Sequence, residues 1–315
     1  MRHFRRRGRP EVTDVNKDKK LEGGLRVKMG ASYKKNDAAV LKGAGDMLAS
    51  VITITYNGAA HIEHTIKSVL AQSYKNIEYI VVDGGSTDGT LDIIKKYEDR
   101  IDYWVSEKDR GISDAMNKGV ELATGAIVGM IHADDWYEPD AVENAVKTFA
   151  ETGAGVVCAD LRYHKDGVAY FIGRSDPDSL DKTMSVWHPT VFVRAGIYKS
   201  AGAFELKYIS GMDYDLLLRF SMKGVKIAKD DKIYANMRAG GTSDQSWRRM
   251  IREEYLIKTA NGIGVFKAYA YYLGRYAYFA AAAAFKKTLA VLGLTSLMPL
   301  LKKIRNKFDK RFIDN

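Results

Sequence analysis

From Ser50 onward, short apolar runs alternate with stretches whose apolar residues recur every three or four positions. Val51-Ile52-Thr53-Ile54-Thr55 is β-branched and predicts a strand. Ile62, Ile66, Val69 and Leu70 fall on one face of a predicted helix. Ile77 to Val82 predicts a second strand ending at Asp83. A helix from Thr90 carries Leu91, Ile94 and Tyr97, and Tyr103 to Val105 predicts a third strand. Ile112, Met116, Val120 and Ala123 suit a helix stopped by Gly125, and Ala126 to Ile131 predicts a fourth strand. Pro139 sits at the first turn of a helix reaching about Glu151. This alternation with short loops implies an α/β fold, a mostly parallel central sheet with helices on both faces.

The pattern is less regular further on. Leu161 to Ile172 predicts a hairpin turning at Lys165-Asp166-Gly167, and Trp187 to Arg194 reads as a strand. Met212 to Lys223 predicts a helix ended by Gly224, and the chain beyond about Ser246 reads as helical, aromatic and basic. Residues 1–48 show no sustained period and read as a disordered basic tail, with Met29 and Met47 as alternative starts. The expected division is therefore 1–48 tail, 49–245 folded domain and 246–315 helical, basic amphipathic C-terminal extension.

Charge sharpens this division. The net +10 comes from the two ends: 13 Lys/Arg stand against 6 Asp/Glu in 1–48, and 8 against 2 in 286–315. The chain between is slightly acidic, which argues against a nucleic-acid groove through the core. A single cysteine, Cys158, excludes a disulfide framework. The basic start lacks the apolar stretch of a secretory signal, and Tyr276 to Phe285 is about half a bilayer span. These features imply a cytoplasmic protein.

In parallel sheets ligands sit at the carboxyl ends of the strands. The polar clusters fall there: Tyr56-Asn57, Asp83 to Gly89, and His132 to Asp135. Asp134-Asp135 suits a turn and helix cap, or a hard divalent cation bridged to a phosphate. Asp83 to Gly89 is either a plain turn or a loop for a nucleotide's base or ribose. No Gly-Lys-Ser/Thr follows it, so it is not a phosphate loop. Asp213 and Asp215 are either helix-start acids or include a general base; two apart, they face different ways. His132, His164 and His188 are isolated in sequence, and such histidines are more often structural than ligands.

Together these pieces resemble the family 2 glycosyltransferases, inverting enzymes with the GT-A fold. Five segments carry the likeness: Val51 to Asn57, Val81 to Thr90, Glu107 to Asn117, Ile131 to Trp136 and Gly211 to Arg219. The resemblance implies a nucleotide-diphosphate sugar donor, with UDP the commonest nucleotide, and Mn²⁺ or Mg²⁺ on Asp134 with Asp135. It implies nucleotide-sugar contacts from Thr55, Tyr56, Asn57, Asp83, Ser86, Asp88, Arg110, Asn117 and Asp134. Asp213 takes the place of the base, with His188 and Asp215 toward the acceptor, a glycan or lipid-linked glycan of cell-surface polysaccharide synthesis. Two positions depart from the family pattern: His132 replaces the first acid of the metal motif, and Met212 the Glu before Asp213. The basic end, finishing Leu300 to Phe308, suits peripheral contact with an anionic membrane at the inner face of the cell membrane. The alternatives are a nucleotidyltransferase and a nucleic-acid-binding protein using the basic ends. The first would want a basic glycine-rich signature, and Ser50 to Gly58 holds no Lys or Arg; the second leaves Asp83, Asp134 and Asp213 unexplained.

Overall fold

The computed structural model describes residues 20–30, 33, 47–239, 247–294 and 312–314. Four strands form a parallel core in the order β4 (Tyr103–Ser106), β3 (Ile77–Asp83), β2 (Ala49–Thr55), β5 (Ile127–Met130). Beyond β5 the sheet turns mixed: β9 (Phe192–Arg194) joins antiparallel, then β7 (Val156–Lys165), β10 (Ile227–Arg238) and β6 (Trp136–Tyr137). The predicted hairpin is present, with β8 (Val168–Gly173) folded back on β7.

The core strands are apolar on both faces because both are covered. Ile52 and Ile54 of β2, with Ile80 and Val82 of β3, pack under α4 (Ile112–Leu122), α6 (Ala195–Ala201) and α7 (Met212–Met222). Ala49 and Val51, with Tyr79 and Val81, face α2 (Ile62–Leu70), α3 (Thr90–Lys96) and α5 (Ala141–Thr152). Gly129 of β5 lies flat against the Phe192 ring of β9, so a Cβ there would strike the ring. The α/β class with helices on both faces holds as expected.

Two local expectations fail, and one strand escaped reading. The expected strand Trp187–Arg194 is one only from Phe192; Pro189 fixes φ and lacks an N–H, and His188–Thr190 closes a 3₁₀ turn instead. The twelve-residue β10 had no sequence signature, because Lys229-Asp230-Asp231-Lys232 interrupts it at a register shift. The expected tail is ordered over residues 20–30. There β1 (Leu21–Gly23) pairs antiparallel with β4, and α1 (Leu25–Met29) follows. Leu25 and Arg26 donate backbone N–H to Ile101 and Asp102, and Arg26 forms an ion pair with the fully buried Glu78.

The expected C-terminal helices are α8 (Trp247–Ala260) and α9 (Val265–Val291). They pack on each other through Trp247–Phe279 and Tyr255–Tyr272 ring contacts at 5.6 and 5.8 Å. Lys258 is buried between them. Its ammonium lies 3.2 Å from the Tyr271 ring centroid, and burial pushes its pKa down to about 8. Not all of the end is helical: β11 (Phe312–Asp314) pairs with β8. The predicted basic helix Leu300 to Phe308 lies outside the described residues. Among the described residues no helix is long and apolar enough to cross a membrane.

Candidate active site

A cavity of about 650 Å³ opens at the carboxyl ends of β2 and β5. Thr55, Tyr56 and Asn57 line one side and His132 to Asp135 the other; Asp109, Tyr163, Ile209 and Arg238 also contribute. The sequence places it there because β2 and β5 are neighbours and both run out into polar loops.

The nucleotide loop is tied to itself. Asp83 is fully buried and off the cavity wall. Its carboxylate accepts from the Ser86 N–H at 3.1 Å, from the Ser86 hydroxyl and from the Ser106 hydroxyl. Ser86 in turn accepts from the Asn57 N–H at 2.7 Å, and Asn57 Oδ1 accepts from the Thr87 N–H at 2.9 Å. Asn57 holds a positive φ of 51°, a left-handed geometry that Asn tolerates. Asp88 accepts from the Thr90 and Ala59 N–H groups, and the Thr90 hydroxyl holds its carboxyl below the usual range. Gly84 touches Asp109; a Cβ there would meet the Asp109 carboxylate.

Three other expected contacts lie elsewhere. Arg110 turns its guanidinium onto Asp114 at 2.7 Å rather than into the cavity. Asn117 brackets the Phe204 backbone, donating to its carbonyl and accepting from its N–H, both at 2.8 Å. Asp215 is buried and accepts from Arg219 and Asn261, each at 3.1 Å, which ties α7 to the end of α8.

Around His132 on the opposite wall sit groups that lack hydrogen-bond partners, with His188 and Asp213 themselves off the cavity lining. His132, His188 and Asp213, separated in sequence, come together here. His188 Nε2 lies 3.8 Å from Asp213 Oδ1, beyond a hydrogen bond, and the His132 and His188 ring centroids are 5.8 Å apart. His132 Nε2, His188 Nδ1 and Asp213 Oδ1 are all buried without a hydrogen-bond partner. Burial, with His188 nearby, pushes the His132 pKa down and favours a neutral ring. Glu253 of α8 fixes the start of α7: its carboxylate accepts from the Ser210 and Gly211 N–H groups at 2.8 Å, two residues before Asp213.

Asp134 and Asp135 differ sharply. The half-buried Asp134 carboxylate has no hydrogen-bond partner among the described residues and faces the cavity. Asp135 is buried and accepts from the Arg238 N–H at 3.3 Å; burial raises its carboxyl well above the usual range, and the Asp134 charge adds to this. Among the described residues no three acidic, His or Cys side chains gather to hold a metal alone. Of the two, Asp134 is the carboxylate with oxygens left to offer a cation beside other donors, and Asp135 is occupied in the turn.

Asp109 and Arg238 are among the cavity residues that escaped sequence reading. Asp109 is raised by burial and accepts from the Gly111 N–H at 2.9 Å. Arg238 lies 4.6 Å over the Trp136 ring and donates to the Asp134 carbonyl at 2.9 Å. It was hidden because β10 itself had no readable pattern.

Comparison with known proteins agrees with this geometry. The family model "Glycosyl transferase family 2" matches residues 50–215, just over half of the chain. A glycosyltransferase of Mycobacterium tuberculosis is 33% identical over 181 residues, 55% of this chain and 68% of that protein. The Escherichia coli protein WfaP, a UDP-Glc:alpha-D-GlcNAc-diphosphoundecaprenol beta-1,3-glucosyltransferase, is 28% identical over 220 residues, 67% of this chain and 86% of its own. Staphylococcus aureus TarS 1–349 in complex with UDP-GlcNAc shares the fold at a TM-score of 0.58 and 20% identity, over 73% of this chain and 72% of that one. So does a Pyrobaculum calidifontis mannosyltransferase in complex with GDP-Man and Mn²⁺, at 0.54 and 22%, over 84% and 88%. With its five motifs in order on a GT-A-like sheet, the chain belongs to glycosyltransferase family 2.

Proposed function

We propose that the chain moves a sugar from a nucleotide-diphosphate donor, a UDP-sugar by preference, to a hydroxyl of a glycan or lipid-linked glycan, with inversion. The observation that carries this is an unbonded Asp134 facing a cavity whose other side is a pre-built loop, with Asp213 close to its His132 wall through His188. Thr55, Tyr56 and Asn57 would line the nucleotide pocket, with Asp83, Ser86 and Asp88 shaping it from behind. Arg238 is placed to meet the diphosphate. Asp134 would hold Mn²⁺ or Mg²⁺, which when bound neutralises charge on the departing diphosphate. Asp213 would take the proton of the acceptor hydroxyl as that oxygen attacks the anomeric carbon. One in-line displacement then turns an α-linked donor into a β-linked product.

His188 stands beside Asp213 and would orient it. Arg110, Asn117 and Asp215 act by holding backbone and helices in place. The relatives support this reading through their printed activities and ligands: WfaP is named for a UDP-Glc donor and a lipid-linked acceptor, and TarS and the mannosyltransferase carry UDP-GlcNAc and GDP-Man. We place α9, through its exposed Phe266, Leu273, Tyr278 and Phe285 and the Lys286-Lys287 pair that follows, at an anionic membrane surface. The test is nucleotide release from a panel of UDP-, GDP- and dTDP-sugars with Mn²⁺, followed by the anomeric configuration of the product. No release from any donor, or retained configuration, defeats it.

A further inference from the structure

Arg238 reaches the catalytic cavity from the end of β10, and its neighbours set its orientation. Its Nε donates to the Asp134 carbonyl at 2.9 Å, its guanidinium lies 4.6 Å over the Trp136 ring, and its Nη2 is 2.8 Å from His64 Nδ1 of α2. A guanidinium only donates, so His64 Nδ1 must offer a lone pair, and the neutral ring carries its proton on Nε2. Arg238 Nη1 has no hydrogen-bond partner among the described residues. The His64 ring is itself seated. It packs on Trp136 at 4.7 Å between centroids, and His164 of β7 packs on the same side chain at 4.6 Å. The charged and titratable groups around His64 are Arg238 of β10, His164 of β7, and Lys67 and His61 of its own chain segment, all of them basic. Burial, with the Arg238 charge next, holds the His64 pKa below the ordinary histidine value and favours the neutral, accepting ring.

We propose that His64 is a positioning residue for the transfer: from α2 it holds Arg238 so that the rest of the guanidinium meets the diphosphate of the donor. The bond to His64 takes a single N–H of Nη2. The other N–H of Nη2 and those of Nη1 stay available to phosphate oxygens, in the planar geometry that suits them. A protonated His64 has no lone pair at Nδ1 and sets a second cation against the guanidinium, so acid releases Arg238. The inference rests on the transferase reading above, which brings the diphosphate to Arg238.

The test is kcat/KM of the full chain for the nucleotide-sugar that the donor panel identifies, with Mn²⁺, across pH. Arg238→Gln should lower it on the order of tenfold or more. His64→Phe keeps a ring on Trp136 but removes the acceptor; it should cost about tenfold alone and add nothing in the Arg238→Gln background. His64→Asn sets an amide oxygen near the place of Nδ1 and should keep most of the wild-type value at about pH 8. From about pH 8 to about pH 5 the wild type should fall about fivefold relative to His64→Asn, whose amide does not titrate. Additive losses in the double variant, or parallel pH profiles for wild type and His64→Asn, overturn the proposal. A second measurement needs no donor: nitrogen NMR of the imidazoles, with the His64 signals assigned by their loss in His64→Asn. The proton should sit on Nε2, and the His64 pKa should rise in Arg238→Gln; a proton on Nδ1 or an unmoved pKa overturns the proposal. If no donor is turned over, the transferase reading falls, and this titration decides the His64–Arg238 pair alone.

Discussion

At the ends of β2 and β3, Asp83, Ser86, Asn57, Asp88 and Thr90 spend their polar atoms on one another. Around His132 across the cavity, His132, His188 and Asp213 keep buried nitrogen and oxygen atoms without hydrogen-bond partners, and the cavity-facing Asp134 carboxylate is unbonded. A buried polar atom left unmade costs about 1–3 kcal/mol, so, Thr55 Oγ1 apart, one side is built for shape and the other holds its bonding capacity for what arrives. Substitutions on the first wall should therefore act through folding and KM, and those on the second through kcat.

The largest expected effect tests the second wall. Asp213→Asn should lower kcat by about 10²–10⁴-fold while UDP affinity, measured by calorimetry, stays nearly constant. Unchanged kcat would move the base elsewhere and undo the contrast. Asp134→Ala, or EDTA on the wild type, should cost on the order of 10²–10³-fold in turnover, with Mn²⁺ restoring only the EDTA-treated wild type. Asp135→Asn should do less, because that carboxyl is held by the Arg238 N–H.

The first wall gives the opposite signature. Asp83→Asn turns an amide toward donors that now meet a carboxylate, and should cost about 1–3 kcal/mol of stability in urea unfolding. Its kcat at saturating donor should fall only a few-fold. A kcat loss matching that of Asp213→Asn would show that Asp83 touches the donor directly.

A smaller effect sits at the α8–α9 contact. Burial holds the folded Lys258 ammonium down to about 8, below its ordinary 10.5, so the unfolded chain binds more protons between these pH values. Stability from this group should therefore rise as pH rises from about 8 toward 10.5, by on the order of 2 kcal/mol. Unfolding midpoints of wild type and Lys258→Met across that window should diverge; parallel curves would refute the assignment.

The contrast also explains what was readable in the sequence. The strands β2 to β5 are covered on both faces, so they appear as continuous apolar runs, and their polar ends marked the cavity. Strand β10 has an exposed, charged middle, so neither it nor Arg238 could be seen. His132, His188 and Asp213 meet only because β9 inserts antiparallel beside β5 and sets the 3₁₀ turn near α7. No local spacing encodes that contact; the order of the family motifs implied a place for Asp213 but no reason for two histidines beside it. Residues 20–30 escaped because three-residue β1 is exposed at two of its positions.

That short strand bears on how the protein behaves in company. Strand β4 would otherwise end the sheet with a free row of backbone donors and acceptors, and β1 covers it at Ser106, Val105 and Trp104. A polypeptide started at Met47 would keep every cleft residue yet present that row to other chains, an invitation to intermolecular strand pairing. It would also strip the ion-pair partner from buried Glu78. Such a product would turn over substrate while folded and be lost to self-association, so its yield and shelf life would suffer before its chemistry did.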